Sequence, residues 1–214
     1  MVKGKIDGIL QFFKRKHNFV KVFAQDWIFL CKFARKSRDE GSQRAEFDEQ
    51  HLTMRKIINP YLHQEGYDCF GCCPDNPMGL HMEFFEDGDE ILSFWRPQEH
   101  FQGWKGVMHG GVLATLIDET CGWVVTRKLQ TAGMTTRLDI HYKHPVKCTD
   151  PQLTIRASIK EQKRQYVFIS AILENSRGEV CVTADVVYYA MDSERSKQMG
   201  FTACDVEDEQ LLSM

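Results

Sequence analysis

Apolar and polar residues alternate along the second half of the chain in the way that a half-buried β-strand requires. In TTRLDIHYKHP, the side chains of Leu138, Ile140 and Tyr142 alternate with charged or polar ones. The runs LTIRASIKE, YVFISAILEN and VCVTADVVYYAM follow as further strands, separated by short turn-rich breaks. Because the connections are short, we expect these four strands to pair antiparallel.

Two strands and one long helix are predicted before them. LHMEFFEDGDEILSFWRP divides into two apolar runs at residues 87–89, which is a typical hairpin signal, whereas HFQGWKG is expected to be a loop. Residues 109–129 contain no turn residue other than Gly122 and are numerous enough for a helix. The order of strand, strand, long helix and four strands predicts an α+β fold, with one helix covering one face of a single antiparallel sheet.

The chain divides into three regions by composition. Residues 1–53 form a basic, aromatic extension that is expected to be helical or poorly ordered. Contact of residues 1–38 with a membrane surface is one alternative, and a solvated extension is the other. The native start at Met54 is a third possibility, in which case MRKIINPYL is expected to form an opening helix. The folded domain is predicted over residues 54–192, and an acidic tail follows over 193–214.

Charge and cysteine usage exclude several classes of function. The net charge of −3 is too small to indicate a charged partner, and the chain has no DNA-binding motif, so no nucleic-acid partner is expected. No stretch reaches the ~18 uninterrupted apolar residues of a membrane span. The eight cysteines are scattered and no secretory leader is visible, which favours reduced thiols and a cytoplasmic location.

The stretch MHGGVLATLIDETCGW, residues 108–123, is unusual for the start of a buried helix. Gly110 and Gly111 supply backbone without side chains, and Asp118 and Glu119 lie within otherwise apolar sequence. Burying a carboxylate among apolar side chains costs free energy unless it serves a purpose. The first amides of a helix have no internal partner and lie at the positive end of its dipole, so a bare glycine amide can polarise a substrate oxygen.

One copy of this helix cannot bring both features to the same carbonyl. Gly110 and Asp118 lie ~12 Å apart along the helix axis. A reacting carbonyl must lie ~3 Å from both its hydrogen-bond donor and its attacking group. Two antiparallel copies side by side satisfy this condition, so we expect a homodimer, or a dimer of dimers, with two composite sites.

HGGVLATLIDETCG resembles the signature of hotdog-fold acyl-CoA thioesterases, the phenylacetate-pathway (PaaI) type within the 4-hydroxybenzoyl-CoA thioesterase superfamily. In that signature an acid lies nine positions after the histidine, where this chain has Asp118. HFQGWKGVM is similar to the loop before the motif, and CFGCCPDNPMGL to the opening of one bacterial subgroup. The resemblance covers residues 66–191 and implies a hotdog fold, a single antiparallel β-sheet wrapped around one long central helix.

The resemblance also implies an activity: hydrolysis of an acyl-CoA thioester to a carboxylate and free CoA, with no metal or other cofactor. In that reaction Asp118 would be the nucleophile or the general base, and Gly110 would present the polarising amide. Thr135 would position the attacking water, although a threonine in a strand is equally an ordinary β-forming residue. His109 would shape the loop and lie near the thioester.

A second group is expected to contact the substrate without reacting. Gly111 would allow close packing at the helix start, Gln102 would help to hold the carbonyl or the water, and His100 is a weaker match for that role. Candidates for the CoA phosphates, which are otherwise the solvated face of a sheet, are Arg137, Lys143, His144, Lys147, Lys163 and Arg164. Candidates for an acyl pocket, which are otherwise ordinary core, are Phe101, Trp104, Trp123 and Met134.

The turn that contains Cys69, Cys72 and Cys73 invites a zinc site. A structural zinc site needs four ligands, and no second pair follows at zinc-like spacing, so turn cysteines without a metal are expected. Glu119 lies one position out of register with Asp118, which rotates it by about 100° around the helix. We therefore expect Glu119 to be structural or to face solvent.

Two other functions are compatible with the same scaffold. A hotdog hydratase or dehydratase would use a histidine and an acid to move protons at the β-carbon of an enoyl- or hydroxyacyl-CoA. A non-catalytic module would bind acyl-CoA without turnover. The HGG start with Asp118 nine positions later favours hydrolysis over the hydratase or dehydratase. The presence of the acid, the glycines and Thr135 together favours catalysis over the binding module.

Overall fold

This computed structural model describes residues 54–62 and 64–207, which contain nine strands, two α-helices and one short 3₁₀ helix at Glu99–Phe101. The predictions for the extension over residues 1–53 lie outside that part. The strands are β1 (Arg55–Lys56), β2 (Phe84–Asp87), β3 (Glu90–Trp95), β4 (Gln102–Trp104), β5 (Val107–Met108), β6 (Gly133–Tyr142), β7 (Leu153–Lys163), β8 (Tyr166–Glu174) and β9 (Val180–Ala190). The helices are α1 (Gly110–Lys128) and α2 (Ser193–Gln198).

The main sheet is antiparallel throughout and confirms the predicted α+β architecture. Its seven strands lie in the order β1-β2-β3-β7-β8-β9-β6, which leaves β6 at one edge. The predicted hairpin joins β2 to β3 at Gly88, where a φ of +55° favours glycine. Helix α1 packs on β3, β6, β7, β8 and β9, so one long helix occupies the concave face of one sheet.

The core fills the space between α1 and this face of the sheet. Leu116, Ile117 and Val124 of the helix have no exposed surface. Strand β8 alternates as predicted, with Val167, Ile169, Ala171 and Leu173 buried toward the helix. Full burial of each large aliphatic side chain contributes roughly 1.5–3 kcal/mol to folding. Packing against five strands therefore holds the helix and fixes its position on the sheet.

MRKIINPYL does not form the helix that was expected of it. Residues 55–56 are strand β1, which pairs with β2, and Ile57 forms an isolated bridge with Val206. The side chain of Asn59 accepts a hydrogen bond from the Tyr61 amide, and this bond stabilises a turn at Pro60. Pairing to an existing sheet edge outweighs the local helical pattern here.

Residues 193–207 continue the fold beyond the predicted domain end at residue 192. Helix α2 starts at a cap in which the Asp192 side chain accepts from the Arg195 amide. Phe201, Cys204 and Val206 are buried in the main core. The segment that was expected to be the start of an acidic tail therefore contributes to the core up to residue 206.

The segment HFQGWKG, expected to be a loop, forms a small hairpin of β4 and β5. Gly106 lies at its turn with a φ of +74°, and the Gln102 side chain accepts a hydrogen bond from the Gly106 amide. Both strands are too short to be predicted from their amino-acid composition. Within residues 54–62 and 64–207, neither helix has the length and apolar character needed to cross a lipid bilayer.

Candidate active site

His109 caps the start of helix α1 and thereby sets the shape of the HGG motif. Its backbone is extended, and its Nδ1 accepts a hydrogen bond of 2.9 Å from the Gly111 amide. A Cβ on Gly111 would lie 3.0 Å from that Nδ1, so glycine is what lets the imidazole fold back over the first turn. Close packing at Gly111 was predicted, and the structure shows that the neighbour is His109.

Gly110 differs from Gly111 in what its missing side chain permits. A Cβ there would meet the Tyr142 ring at 3.4 Å, which is ordinary van der Waals contact, so packing does not demand glycine. The Tyr142 hydroxyl donates to the Gly110 carbonyl at 2.7 Å. In the described part of the chain the Gly110 amide donates no hydrogen bond. The first N–H of the helix is therefore available to an acceptor from outside.

Asp118 lies on α1, half-buried, with two hydroxyl groups directed at one of its oxygens. Its Oδ1 accepts hydrogen bonds from Thr135 Oγ1 at 2.8 Å and from the Tyr188 hydroxyl at 2.9 Å. The Tyr188 hydroxyl also lies 2.7 Å from the Asp118 carbonyl oxygen. The structure therefore brings together two of the predicted catalytic residues, Asp118 and Thr135.

Tyr188 is a member of this group that the sequence analysis missed. Burial, and then the charge of Asp118, raise the pKa of Tyr188, so the phenol remains a neutral donor. The available signal was Gly122, the one glycine of α1 beyond its first turn, where a Cβ would lie 3.2 Å from the Tyr188 hydroxyl. A bare position on a helix often marks the close approach of a neighbouring group.

A β-bulge in β6 explains why Thr135 faces the helix. Thr135 pairs with Tyr188 and Arg137 with Val187, so Thr136 is an extra residue with no register partner of its own on β9, although its hydroxyl donates to the Val187 carbonyl. Beyond it, Leu138, like Ile140 and Tyr142, pairs with a core-facing position of β9. The bulge shifts the alternation by one, and Thr135 and Tyr142 consequently lie on the same face of the strand.

Three of the predicted substrate-binding residues lie apart from Asp118. Gln102 is engaged in its own hairpin, and His100 is exposed with its ring against Phe101. Arg137 forms an exposed ion pair with Asp139. Among the described residues, no hydrogen bond, ion pair or ring contact joins any of the three to Asp118 or Thr135.

A cleft of about 530 Å³ runs past Asp118 and Thr135. Its walls combine polar and apolar side chains, among them Tyr61, Tyr67, Cys69, Cys72, Glu119, Trp123, Met134, Tyr188 and Met199. Trp123 and Met134, two of the acyl-pocket candidates, line this cleft. Phe101 instead packs against Trp95, and Trp104 is 84% exposed.

The predicted turn cysteines border the same cleft, where Cys69 and Cys72 lie 3.4 Å apart. The hydrogen bond from Cys72 lowers the pKa of Cys69 to about 7, against the opposing effects of burial and of Glu119. The same hydrogen bond, together with burial, raises the pKa of Cys72. Glu119, expected to be structural or solvent-facing, is half-buried and accepts from Trp123 Nε1 at 3.3 Å.

Comparison with known proteins shows what this chain is similar to. Residues 105–182 match the family model described as Thioesterase superfamily. Acyl-coenzyme A thioesterase THEM4 of Mus musculus is 27% identical over 105 residues, which are 49% of this chain and 44% of that protein. The Bos taurus protein of the same name is 25% identical over 124 residues, 56% of this chain and 48% of its own length.

The fold is also found in a solved thioesterase superfamily protein. That structure is 18% identical, has a TM-score of 0.52 and matches over 80% of this chain and 78% of its own. The chain spans less than half the length of the curated relatives that it matches. Together these matches show that the described domain has the hotdog fold, and that residues 105–182 are similar in sequence to the thioesterase superfamily.

Proposed function

We propose that this protein hydrolyses acyl-CoA thioesters to a carboxylate and free CoA, as a member of the PaaI-like branch. The observation that supports this best is the Asp118 carboxylate, held by the Thr135 and Tyr188 hydroxyls beside a cleft. It lies nine positions after the histidine of the HGG motif. The relatives named acyl-coenzyme A thioesterase support the substrate class.

The hydrogen bonds at Asp118 give its two carboxylate oxygens different roles. Both hydroxyl donors bind Oδ1, and among the described residues none binds Oδ2. Oδ2 is therefore free to take a proton from an attacking water and later pass it to the leaving thiolate. If Oδ2 instead attacks the thioester carbon itself, the resulting acyl anhydride on Asp118 is then hydrolysed by water to release the carboxylate. If water attacks, the Thr135 hydroxyl, which donates its proton to Asp118, keeps lone pairs to accept from that water.

The attack produces a tetrahedral oxyanion, which needs hydrogen-bond donors, and a CoA thiolate then leaves with the electrons of the C–S bond. The Gly110 amide is the donor we assign to the oxyanion, because its N–H is unengaged and lies at the positive end of α1. A donor of this kind contributes about 3–4 kcal/mol to transition-state stabilisation. The chemistry assigned to Asp118 and Gly110 includes no metal step.

Both groups reach one substrate only in a dimer. Thr135 lies beside Asp118 and Tyr142 lies beside Gly110, so strand β6 follows the helix between the two halves of the site. Strand β6 is one edge of the sheet, and among the described residues no second strand pairs with its outer side, so its backbone groups can pair with another strand. Antiparallel pairing of two β6 strands about a two-fold axis near Leu138 and Asp139 would place Thr135 opposite the partner's Tyr142.

That register would bring Asp118 of one copy to Gly110 of the other. Within each chain Asp118 is hydrogen-bonded to Thr135 and the Gly110 carbonyl to Tyr142, so the pairing of these two β6 residues also brings Asp118 and Gly110 together. Because of the bulge between Thr135 and Arg137, the register of the pairing between the two β6 strands can shift by one residue. The proposed enzyme is therefore a homodimer, or a dimer of dimers, with two shared sites.

Thiol release from a panel of acyl-CoAs, from short to aromatic chains, tests the function directly. Wild-type protein is expected to release CoA, and the Asp118→Asn variant to lose about 10²–10⁴-fold in kcat. Asn keeps an Oδ1 acceptor for Thr135 and Tyr188, so the fold is expected to survive. An Asp118→Asn variant as active as wild type would remove Asp118 from the mechanism. Enoyl-CoA hydration without thiol release, or tight acyl-CoA binding without turnover, would replace hydrolysis by the hydratase or the binding module.

A further inference from the structure

The turn before β2 and helix α1 bring three potential metal ligands to one point. Cys69 and Cys72 come from the turn, and Glu119 comes from the helix, fifty residues along the chain from Cys69. One ligand atom from each lies within 4.8 Å of the other two. The sequence offered only the cysteine pair, and the third ligand becomes visible once α1 lies against the turn.

The two separations that involve the Cys69 sulfur are close to those around a tetrahedral zinc ion, and the third lies within 4.8 Å. With bonds of about 2.3 Å to sulfur and 2.0 Å to oxygen, two sulfurs lie about 3.8 Å apart, and a sulfur and an oxygen about 3.5 Å apart. The Cys69 and Cys72 sulfurs are 3.4 Å apart, and the Cys69 sulfur is 3.5 Å from Glu119 Oε1. An ion would have to move the two sulfurs apart by about 0.4 Å.

The local sequence makes room for the carboxylate. Gly71 lies between the two cysteines, and a Cβ there would come within 2.4 Å of the Glu119 carboxyl carbon. Any other residue would push Glu119 out of the turn. Cys72 is buried, whereas Cys69 and Glu119 are half-buried, so the group is shielded but accessible from the cleft.

Charge also favours a cation at this point. Within residues 54–62 and 64–207, the hydrogen bonds to the Glu119 side chain come from a thiol and an indole, and it forms no ion pair with lysine or arginine. A half-buried carboxylate without a cationic partner is costly. Two thiols and a carboxylate form a ligand set that selects thiophilic ions such as Zn²⁺ over Mg²⁺ or Ca²⁺.

We propose that Cys69, Cys72 and Glu119 bind one Zn²⁺, with a solvent molecule in the fourth position on the side of the cleft. Three protein ligands and one open position is the arrangement of zinc sites that exchange a ligand, whereas structural sites have four protein ligands. The ion would join the turn to α1 one residue from Asp118. This proposal does not depend on the proposed hydrolysis, because its test reads metal binding.

Metal-depleted, reduced full-length protein is titrated with Zn²⁺ in competition with a chromogenic chelator, and with Co²⁺ as a spectroscopic probe. We expect one equivalent to bind per chain. The Co²⁺ form should show a thiolate-to-cobalt charge-transfer band in the near ultraviolet and the intense visible bands of a tetrahedral ion. Wild-type protein without these bands in the reduced state, or without zinc binding that competes with the chelator, would overturn the proposal.

Variants assign the ligands. Cys69→Ser and Glu119→Gln are each expected to weaken Zn²⁺ binding by at least about tenfold. Glu119→Gln should keep the thiolate band, whereas Cys69→Ser should lose much of it. Cys73→Ser is the matched control, since the Cys73 sulfur contacts the Tyr67 carbonyl instead. Equal binding by Cys69→Ser and wild type, or loss of binding in Cys73→Ser alone, contradicts the assignment. The wild-type Co²⁺ spectrum decides the proposal even if a variant fails to fold.

Discussion

At the scale of single residues, the orientation of the Asp118 carboxylate depends on side chains far from it in sequence. Thr135 and Tyr188 come from neighbouring strands and both donate to Oδ1. A carboxylate oxygen with two donors is oriented as well as stabilised, because rotation of the carboxyl group would break both hydrogen bonds. In the proposed reaction Thr135 also contacts water, whereas Tyr188 acts only through Asp118 and is a positioning residue.

The Tyr188→Phe variant separates orientation from substrate binding. It removes the hydroxyl whose one proton is shared between Asp118 Oδ1 and the Asp118 carbonyl oxygen, and it keeps the ring that packs in the core. A hydrogen bond to a charged oxygen is worth roughly 1.5–3 kcal/mol. We expect kcat to fall by about tenfold or more while KM changes little. Steady-state kinetics with one acyl-CoA measure both. Tyr189→Phe on the same strand is the control, since Tyr189 packs edge-on against Tyr166. An unchanged kcat in Tyr188→Phe would show that this hydroxyl has no part in catalysis.

The Gly110 amide can be removed without disturbing the helix. Proline is well tolerated at the first helical position, and the extended backbone of His109 is the conformation that a following proline requires. Gly110→Pro should lower kcat by about 10²–10³-fold, the usual loss of one oxyanion donor. Gly110→Ala keeps the N–H and adds a methyl group at ordinary contact distance from Tyr142, so its loss should be much smaller. Equal losses in the two variants would assign the effect to steric access instead of the amide.

At the scale of secondary-structure elements, one glutamate joins two strands to the end of the helix. Glu86 of β2 lies 2.7 Å from Arg55 of β1, and 2.9 Å and 2.5 Å from Arg127 and Lys128 of α1. Its side chain is 9% exposed. Burial alone would raise the pKa of Glu86, but hydrogen bonds and charges from Arg127 and Lys128 outweigh burial and lower it.

This cluster makes a prediction about stability against pH. A carboxyl group whose pKa is lower in the folded than in the unfolded chain adds stability above its unfolded pKa, and loses it as pH falls through the folded value. Glu86→Gln should therefore lower the free energy of unfolding by roughly 3–5 kcal/mol near neutral pH, and by progressively less below about pH 4. Urea unfolding over a pH series measures this. Glu83→Gln, which breaks an exposed pair with Lys56, should cost no more than about 1 kcal/mol. A Glu86→Gln loss that is independent of pH would rule out the charge as its cause.

The same scale shows what the sequence could predict. The four later strands, the hairpin at Gly88 and helix α1 were predicted because period-two or helical patterns extend over many residues. Strand β1 and the return of Val206 to the sheet were not, since two-residue strands owe their stability to partners that only the fold supplies. The bulge at Thr136 shifts the alternation of faces along β6 but has no signal in the amino-acid sequence, yet it decides that Thr135 faces Asp118.

Site residues divide along the same line. Asp118, Gly110 and His109 belong to one contiguous motif and could be predicted together, although their catalytic roles remain proposals. Tyr188 and the third zinc ligand, Glu119, depend on contacts between distant segments. Gln102 and His100 match the motif's loop in sequence, yet the hairpin of β4 and β5 engages Gln102 locally and leaves His100 exposed. Spacing identifies residues that share an element, whereas packing determines which elements meet.

At the scale of the whole molecule, each proposed site is complete only when two chains each contribute half of its residues. Each chain has one Asp118 and one Gly110 amide ~12 Å apart on the same helix axis, and the sheet leaves β6 open at its edge. In such a dimer, a chain with Asp118→Asn retains a good amide, and a chain with Gly110→Pro retains a good carboxylate. A mixed dimer would then have one site with both lesions and one site with neither.

Co-expression of the two variants with different affinity tags provides those mixed dimers. Each variant alone should be nearly inactive, whereas dimers purified through both tags should regain about half of the wild-type activity, because one of two sites is intact. Thiol release per dimer measures this, and a mixed dimer of two Asp118→Asn chains is the control. If each site instead lay within one chain, every site of the mixed dimer would carry one lesion and no activity would return. A chain that sediments as a monomer at assay concentration while hydrolysing acyl-CoA would likewise end the shared-site proposal, and Asp118 would then need a donor from its own chain.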